Sequence, residues 1–404
     1  MPVAADATPP RTWRAAIAAL AIASSTMFTI PYSTQAIIPE IGRGLGAGPA
    51  LAGLTITVVV IGIAVGAWVL GPLSDRRGRR VVMVWSCAAL VVPTAAIALV
   101  HDTAQLLVLR AAQGLLLPGL LTVAAVYIYE VFPAERVPTV VGFYTSGLVL
   151  GGFLGRTIPA LLVDHVGWRA SLAVLAVPVA VSAVLIRVLL PEAPPLPQAR
   201  APLHALRAHL GNRPLLLNAF AAGTTFFAFV GLFSVLAYRL ESPVFGLRQA
   251  QIGAVYVVWL VGALLPVATR IAGRVGPRRV LPVFPVVAAV GIGLACTASL
   301  PVTAVGLMVT AGSLFFMVGI AQLLVPQLAD RDRASAMSVH LTIYYLIGSL
   351  GPFALGAAWD AAGWAGAVGC ALGALALALA LALLLRRTAP AAGPPEGVSD
   401  PLLS

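Results

Sequence analysis

Twelve apolar runs of about twenty residues, divided by short breaks rich in Arg, Gly and Pro, govern what this chain can fold into. A helix of that length crosses the roughly 30 Å hydrocarbon core of a bilayer. The runs lie near 13–38, 50–72, 81–100, 104–129, 137–162, 168–190, 214–238, 249–269, 280–299, 302–327, 335–358 and 363–385. Composition closes the soluble alternatives. Of the 404 residues 60% are hydrophobic and only 10% charged, against about 25% charged in a typical soluble domain. Too little polar surface exists to cover a water-soluble globule, which excludes a cytosolic enzyme, a secreted disulfide scaffold and a disordered chain. The first run carries on through Tyr32–Pro39 without a small-residue cleavage site, so it is expected to be a span and not a removable signal.

Charge placement sets the expected topology. The formal net charge is +11, which in a soluble protein would suggest nucleic acid. Here the arginines cluster in breaks between apolar runs, where the positive-inside rule accounts for them. Cytoplasmic loops gain nearly all of them if both termini are cytoplasmic, leaving Arg43, Arg169, Arg239 and Arg248 outside and Arg110 and Arg156 within spans. Cys87, Cys296 and Cys370 fall inside apolar runs, form no disulfide or metal pattern, and are expected to be small buried hydrophobes.

The longest interior break runs over 191–213, rich in Pro with Arg200, His204, Arg207 and His209. It separates an expected six-helix bundle at 1–190 from a second at 214–387, followed by a flexible cytoplasmic tail at 388–404. The halves carry a faint repeat: Gly53, Gly78 and Val81 are echoed by Gly253, Gly276 and Val280 at offsets of 198 to 200 residues. Two parallel repeats about an axis normal to the membrane make a transporter with its solute site between them.

Three motifs carry chemistry. Gly71-Pro-Leu-Ser-Asp75-Arg76-Arg77-Gly78-Arg79-Arg80 lies between spans two and three. Gly71 is expected to admit a neighbouring helix, Gly78 to turn with positive φ, and Asp75 to accept from arginines or a helix N-terminus. Arg110-Ala-Ala-Gln113-Gly114 puts Arg110 and Gln113 on one face of span four. An arginine there is costly unless it meets a cavity or a partner; it either faces the cavity or bonds backbone carbonyls. Gly147, Gly151 and Gly155 form a small-residue stripe on span five, next to Arg156. Arg110 and Arg156 are both expected about 10 Å below the outer surface, making the outer cavity electropositive unless helix ends or loop acids such as Asp102 and Asp164 neutralise them. Tyr32, Gln35 and Glu40 near the end of span one, Asn218 in span seven and His340 in span eleven are further cavity or coupling candidates, with helix packing as their alternative.

The first motif resembles the signature loop of the major facilitator superfamily, Gly-x-x-x-Asp-Arg-x-Gly-Arg-Arg, and the second its Arg-x-x-Gln-Gly motif. The stretches 32–39, 147–156 and 238–247 are similar to bacterial exporters of the acriflavine-sensitivity type, although Gly151-Gly152 stands where those exporters have Gly-Pro. The resemblance implies an all-α integral membrane fold of twelve transmembrane helices in two pseudo-symmetric six-helix bundles. It also implies an inner gate of Gly71, Asp75, Arg76, Gly78, Arg79 and Arg80 completed by Glu130 at the inner end of span four. Gly273 replaces the aspartate in the second half, so the gate is expected to be asymmetric.

The expected function is alternating-access secondary transport, with proton-coupled efflux of small amphipathic or drug-like compounds from the cell inner membrane. A uniporter or an anion carrier built on Arg110 and Arg156 is the alternative, and a non-transporting membrane sensor a remote one. The expected partners are a small-molecule solute, protons and the lipid bilayer. No nucleic acid, cofactor or metal is expected, nor a second copy of the chain. The five histidines are scattered and no nucleophile sits beside a base, which argues against an enzyme. No Gly-x4-Gly-Lys loop provides for ATP-driven pumping. No span holds a central Asp or Glu, so Glu130 and Glu40 are the first candidates to carry a proton.

Overall fold

The computed structural model describes residues 10–192, 209, 211–329 and 332–388. Most of the expected linker at 191–213 and all but the first residue of the expected tail at 388–404 lie outside the described residues.

Ten helices among the described residues are long and apolar enough to cross a membrane. Eight are single crossings: Trp13–Tyr32, Pro49–Arg77, Arg79–Leu99, Thr103–Val131, Arg213–Glu241, Gln249–Val275, Pro277–Ala295 and Leu300–Leu328. The other two, Val137–Leu189 and Ser335–Arg387, have 53 residues each. At 1.5 Å per residue each would be about 80 Å long, more than twice the bilayer core. Each is bent back by glycine at positive φ, Gly167 at 74° in the first and Gly363 at 59° in the second. An L side chain disfavours that region and glycine does not. Ten helical stretches thereby make twelve spans, numbered one to twelve in chain order. Spans five and six are 137–166 and 168–189; spans eleven and twelve are 335–361 and 364–387. Spans one to six and seven to twelve form the two bundles of an all-α membrane fold. The loops joining spans two to three, four to five and eight to nine mark what is called here the arginine-rich face.

Several expectations change. Span one does not run to residue 38. Its helix ends at Tyr32, a turn follows, and a short helix at Ile38–Leu45 lies across the far face. Pro31 lies in the last turn of the first helix and Pro39 in the first turn of the short one, where a missing N–H is tolerated. Of the cysteines only Cys87 is buried, Cys370 being half-buried and Cys296 exposed; Cys296 stands in the turn just past the end of span nine, outside the packed helices. Gly71 meets nothing within 4 Å of where a Cβ would stand, so it admits no close helix. Close approach is supplied instead by Gly62 and Gly66 of span two, where a Cβ would come within 2.8 Å of Gly114 and 2.3 Å of Leu115 O on span four.

The span-five stripe packs against span one. A Cβ on Gly151 would lie 2.0 Å from Ser25 O and one on Gly155 2.4 Å from Thr29 O. The backbones are close enough for Thr29 Oγ1 to donate to Gly151 O at 3.2 Å and Ser24 Oγ to Tyr144 O at 3.0 Å. In lipid, such packing and hydrogen bonding take the place of hydrophobic drive.

The repeat is visible in conformation. Gly78 has φ 94° and ψ 136°, and Gly276 has φ 105° and ψ 111°. A Cβ on Gly53 at the start of span two would stand 2.4 Å from Pro352 O of span eleven. One on its counterpart Gly253, at the start of span eight, would stand 2.7 Å from the Ala160 side chain of span five. Each bundle thus offers the corresponding helix to the other at the corresponding place.

Candidate functional site

At the arginine-rich face the chain turns at Gly78 between spans two and three, which brings the last turn of one beside the first turn of the next. Arg79 sits at the centre. Its Nε and Nη2 donate to the two Glu130 oxygens at 2.8 Å each, a bidentate fork, and Nη1 reaches Asp75 at 2.6 Å and Ser74 Oγ at 2.9 Å. The three charged side chains are only 10%, 16% and 22% exposed. The cluster ties the ends of spans two, three and four, all within the first bundle. Arg80 reaches Glu192 at 2.9 Å, whereas Arg76 is exposed. Around Gly276 in the second bundle no ion pair exists among the described residues, consistent with Gly273 in place of an aspartate.

Arg110 is fully buried, and the turn after Tyr32 explains it. A helix that stops leaves its last carbonyls without partners. Arg110 Nη1 donates to Ile30 O at 2.9 Å and Nη2 to Pro31 O at 2.8 Å, while Nε donates to Thr55 O of span two at 2.9 Å. Gln113 Oε1 accepts from Nη1 at 2.9 Å, and Gln113 Nε2 donates to Thr94 Oγ1 at 3.0 Å. The cation is set against a helix C-terminus, where a positive charge is favoured. Arg110 therefore does not face a cavity; it pins spans one, two and four together. Asp102 is not its counter-ion, since its side chain accepts from Gln105 N.

Arg156 is also fully buried but lies between the bundles. It is ten residues from the end of span five at 166, about 15 Å from the far face and so deeper than Arg110. Its Nε donates to Gln35 Oε1 at 2.7 Å and Nη1 to Gly152 O. Three rings enclose the guanidinium: Trp259 at 3.6 Å and Tyr256 at 5.4 Å from span eight, and Tyr32 at 4.3 Å from span one. Cation–π contacts of this kind are worth about 0.5–2 kcal/mol each. Neither Arg110 nor Arg156 pairs with a carboxylate among the described residues. Arg110 is set against the carbonyls at the end of span one, so the positive charge between the bundles is that of Arg156.

Gln35 connects this centre to the second bundle. Its Nε2 donates to Val230 O at 3.2 Å and Ser234 Oγ at 3.1 Å of span seven. Nearer the far face, Thr157 Oγ1 donates to Gly253 O at 3.1 Å, Ala50 N to Asp360 Oδ2 at 3.1 Å, and Arg43 pairs with Glu241 at 2.7 Å and Glu40 at 2.5 Å. Partial burial works to lower the Arg43 pKa, and the Glu40 and Glu241 carboxylates more than offset it, raising it above its usual value. One polar contact between the bundles lies nearer the arginine-rich face, Trp68 Nε1 donating to Thr342 Oγ1 at 2.9 Å.

The remaining candidates stay apart from Arg156. Glu40 is a surface group of the short helix and reaches no cavity. Asn218 Nδ2 donates to Ala321 O at 2.8 Å, a bond within the second bundle. His340 is buried without a hydrogen-bond partner and stacks on Tyr344 with ring centres 6.5 Å apart. Sequence reasoning missed Trp259, Tyr256, Glu241 and Asp360. Tyr256 and Trp259 stand three apart on one helical face, which was legible; their placement across from Arg156 was not.

The chain matches the model of the Major Facilitator Superfamily over residues 15–352. An uncharacterized transporter of Buchnera aphidicola subsp. Baizongia pistaciae (strain Bp) is 27% identical over 350 residues, 85% of this chain and 87% of that protein. The multidrug resistance protein MdtM of Escherichia coli (strain K12) is 27% identical over 259 residues, 61% of each chain. A crystal structure of a bacterial homologue of the human lysosomal transporter Spinster superposes with a TM-score of 0.80 at 18% identity, covering 95% of this chain and 100% of that one.

Proposed function

The chain belongs to the major facilitator superfamily, and from that premise we propose that it is a secondary transporter of small organic compounds that works by alternating access. One observation carries the reading. Among the described residues, polar contacts between the bundles gather toward the far face and around Arg156, while the Asp75–Arg79–Glu130 cluster binds spans of one bundle only. Such an arrangement is closed at the far face and has its moving boundary at the arginine-rich face. By the positive-inside rule the arginine-rich face is cytoplasmic, which puts both termini there and the Arg43–Glu241 pair outside. Opening outward means parting Arg43 from Glu241, Asp360 from Ala50 and Gln35 from Ser234, and bringing the cytoplasmic ends of the bundles together.

Similarity to the multidrug resistance protein MdtM supports drug-like compounds as the solutes, and the reading adopted for them is proton-coupled export. The buried, carboxylate-free Arg156 favours a second reading in which the solute is an anion and no proton is needed. Flux from proteoliposomes with and without an imposed proton gradient separates them. Proton-coupled export accelerates about tenfold or more with the gradient, and Glu130→Gln or Glu40→Gln removes that gain if the glutamate carries the proton. Anion carriage is unchanged by the gradient in the absence of a membrane potential. A folded protein that moves neither cationic, neutral nor anionic amphipathic solutes would contradict both.

A further inference from the structure

Arg156 has a nitrogen to spare. Its Nη2 is buried and has no hydrogen-bond partner, and neither has the indole Nε1 of Trp259. The two orphan donors belong to one place. Gly152 O accepts from Arg156 Nη1, and a Cβ built on Gly152 would stand 2.3 Å from Trp259 Nε1. A buried donor without an acceptor costs about 1–3 kcal/mol, more when charged, and the cation here has no carboxylate among the described residues to offset its desolvation. Two donors and one positive charge, with no protein acceptor, call for a planar anion with two acceptor oxygens.

The walls say what the anion is attached to. Trp259 stacks on Phe229 at 4.9 Å with an interplanar angle of 11°, Phe315 meets both rings edge-on at 4.8–5.2 Å, and Phe28 adjoins Tyr32 at 5.3 Å. Arg156 and Phe229 cover the two faces of Trp259, so the rings left to meet a flat apolar body are half-buried Phe315 and Phe28 at the edge of the cluster. We propose that Arg156 Nη2 and Trp259 Nε1 form the head-group subsite for the carboxylate of an aromatic organic acid, whose ring lies against the half-buried Phe315 and Phe28 at the edge of the ring cluster. The proposal rests on the alternating-access reading and gives its site a substrate class. Arg156 comes from the first bundle and Trp259 from the second, so the carboxylate bridges them, and parting the bundles leaves it on Arg156 alone. Gln35 is the positioning residue: tied to span seven, it holds the Arg156 fork so that Nη2 is the free end.

The test uses the full chain in nanodiscs with 2-naphthoate and its neutral isostere 2-naphthamide as probes, binding being read by tryptophan fluorescence. Naphthoate is expected to bind about tenfold or more tightly than the amide, the loss of one charge-assisted pairing. Trp259→Phe keeps an aromatic ring and removes the donor; it should reduce the preference for naphthoate severalfold. Arg156→Gln should abolish the preference. Equal affinity for the two probes, no binding of either by folded protein, or a preference that survives Trp259→Phe and Arg156→Gln would overturn the proposal. Naphthoate binding with no naphthoate flux in proteoliposomes would instead sink the transport reading and leave the subsite standing.

Discussion

Arg110→Leu is expected to lower the thermal stability of the purified protein by about 10 °C or more and to deplete it from the membrane. The side chain donates to Ile30 O, Pro31 O and Thr55 O at once; Ile30 O also accepts from Ser33 N and Ser33 Oγ, so it is Pro31 O, together with Gln113 Oε1, that depends on Arg110. A leucine fills part of the volume and bonds none of them. At about 1–3 kcal/mol for each of these two buried acceptors left unmet, the loss is about 4 kcal/mol, among the larger effects of single substitutions. For chains of 150–250 residues, 1 kcal/mol corresponds to about 2–4 °C. Arg110→Lys keeps the charge but lacks the planar fork, so it should fall between leucine and wild type. Fluorescence-detected thermal unfolding of the three proteins decides it; a leucine variant as stable as wild type would mean that Arg110 is not the cap of span one.

Arg79→Ala should act differently, sparing assembly and cutting transport by about a hundredfold. Arg79 neutralises Asp75 and Glu130 where three spans end, and the cluster is mostly shielded from water. Charge-assisted bidentate pairs are among the stronger polar contacts, and removing the shared cation leaves two carboxylates to repel one another. A shift of about 2.7 kcal/mol in the balance between open and closed cytoplasmic ends changes their ratio about a hundredfold. Asp75→Asn and Glu130→Gln each remove one arm and should cost less. Initial rates in proteoliposomes, normalised to protein, give the answer; an alanine variant with unaltered rate would assign the cluster to topology alone.

The fold was largely readable because each span must satisfy its backbone internally and present about twenty apolar residues to lipid. That constraint is local, so the hydropathy runs marked the spans, and Gly78 marked a turn. The break after Tyr32 was harder: polar Ser33, Thr34 and Gln35 between apolar neighbours read as well as a polar helix face as a turn. That one difference decided the role of Arg110, because its carbonyl partners exist only if the helix stops. The Asp75–Arg79–Glu130 cluster was suggested by resemblance, since 51 residues separate Arg79 from Glu130. Arg156 was conspicuous as a charge in a span, but its ring cage depends on which face of span eight meets span five. No periodicity within either segment records that pairing.

The account stands or falls on reciprocal motion of the two bundles. Spin labels at Arg77 and Arg279 report the arginine-rich face and labels at His101 and Val244 the far face, after the three cysteines are replaced. Double electron–electron resonance across solute and proton conditions should show the first distance shortening as the second lengthens, with both populations present in the apo protein. Two distances that stay fixed while the labelled protein still transports would contradict it.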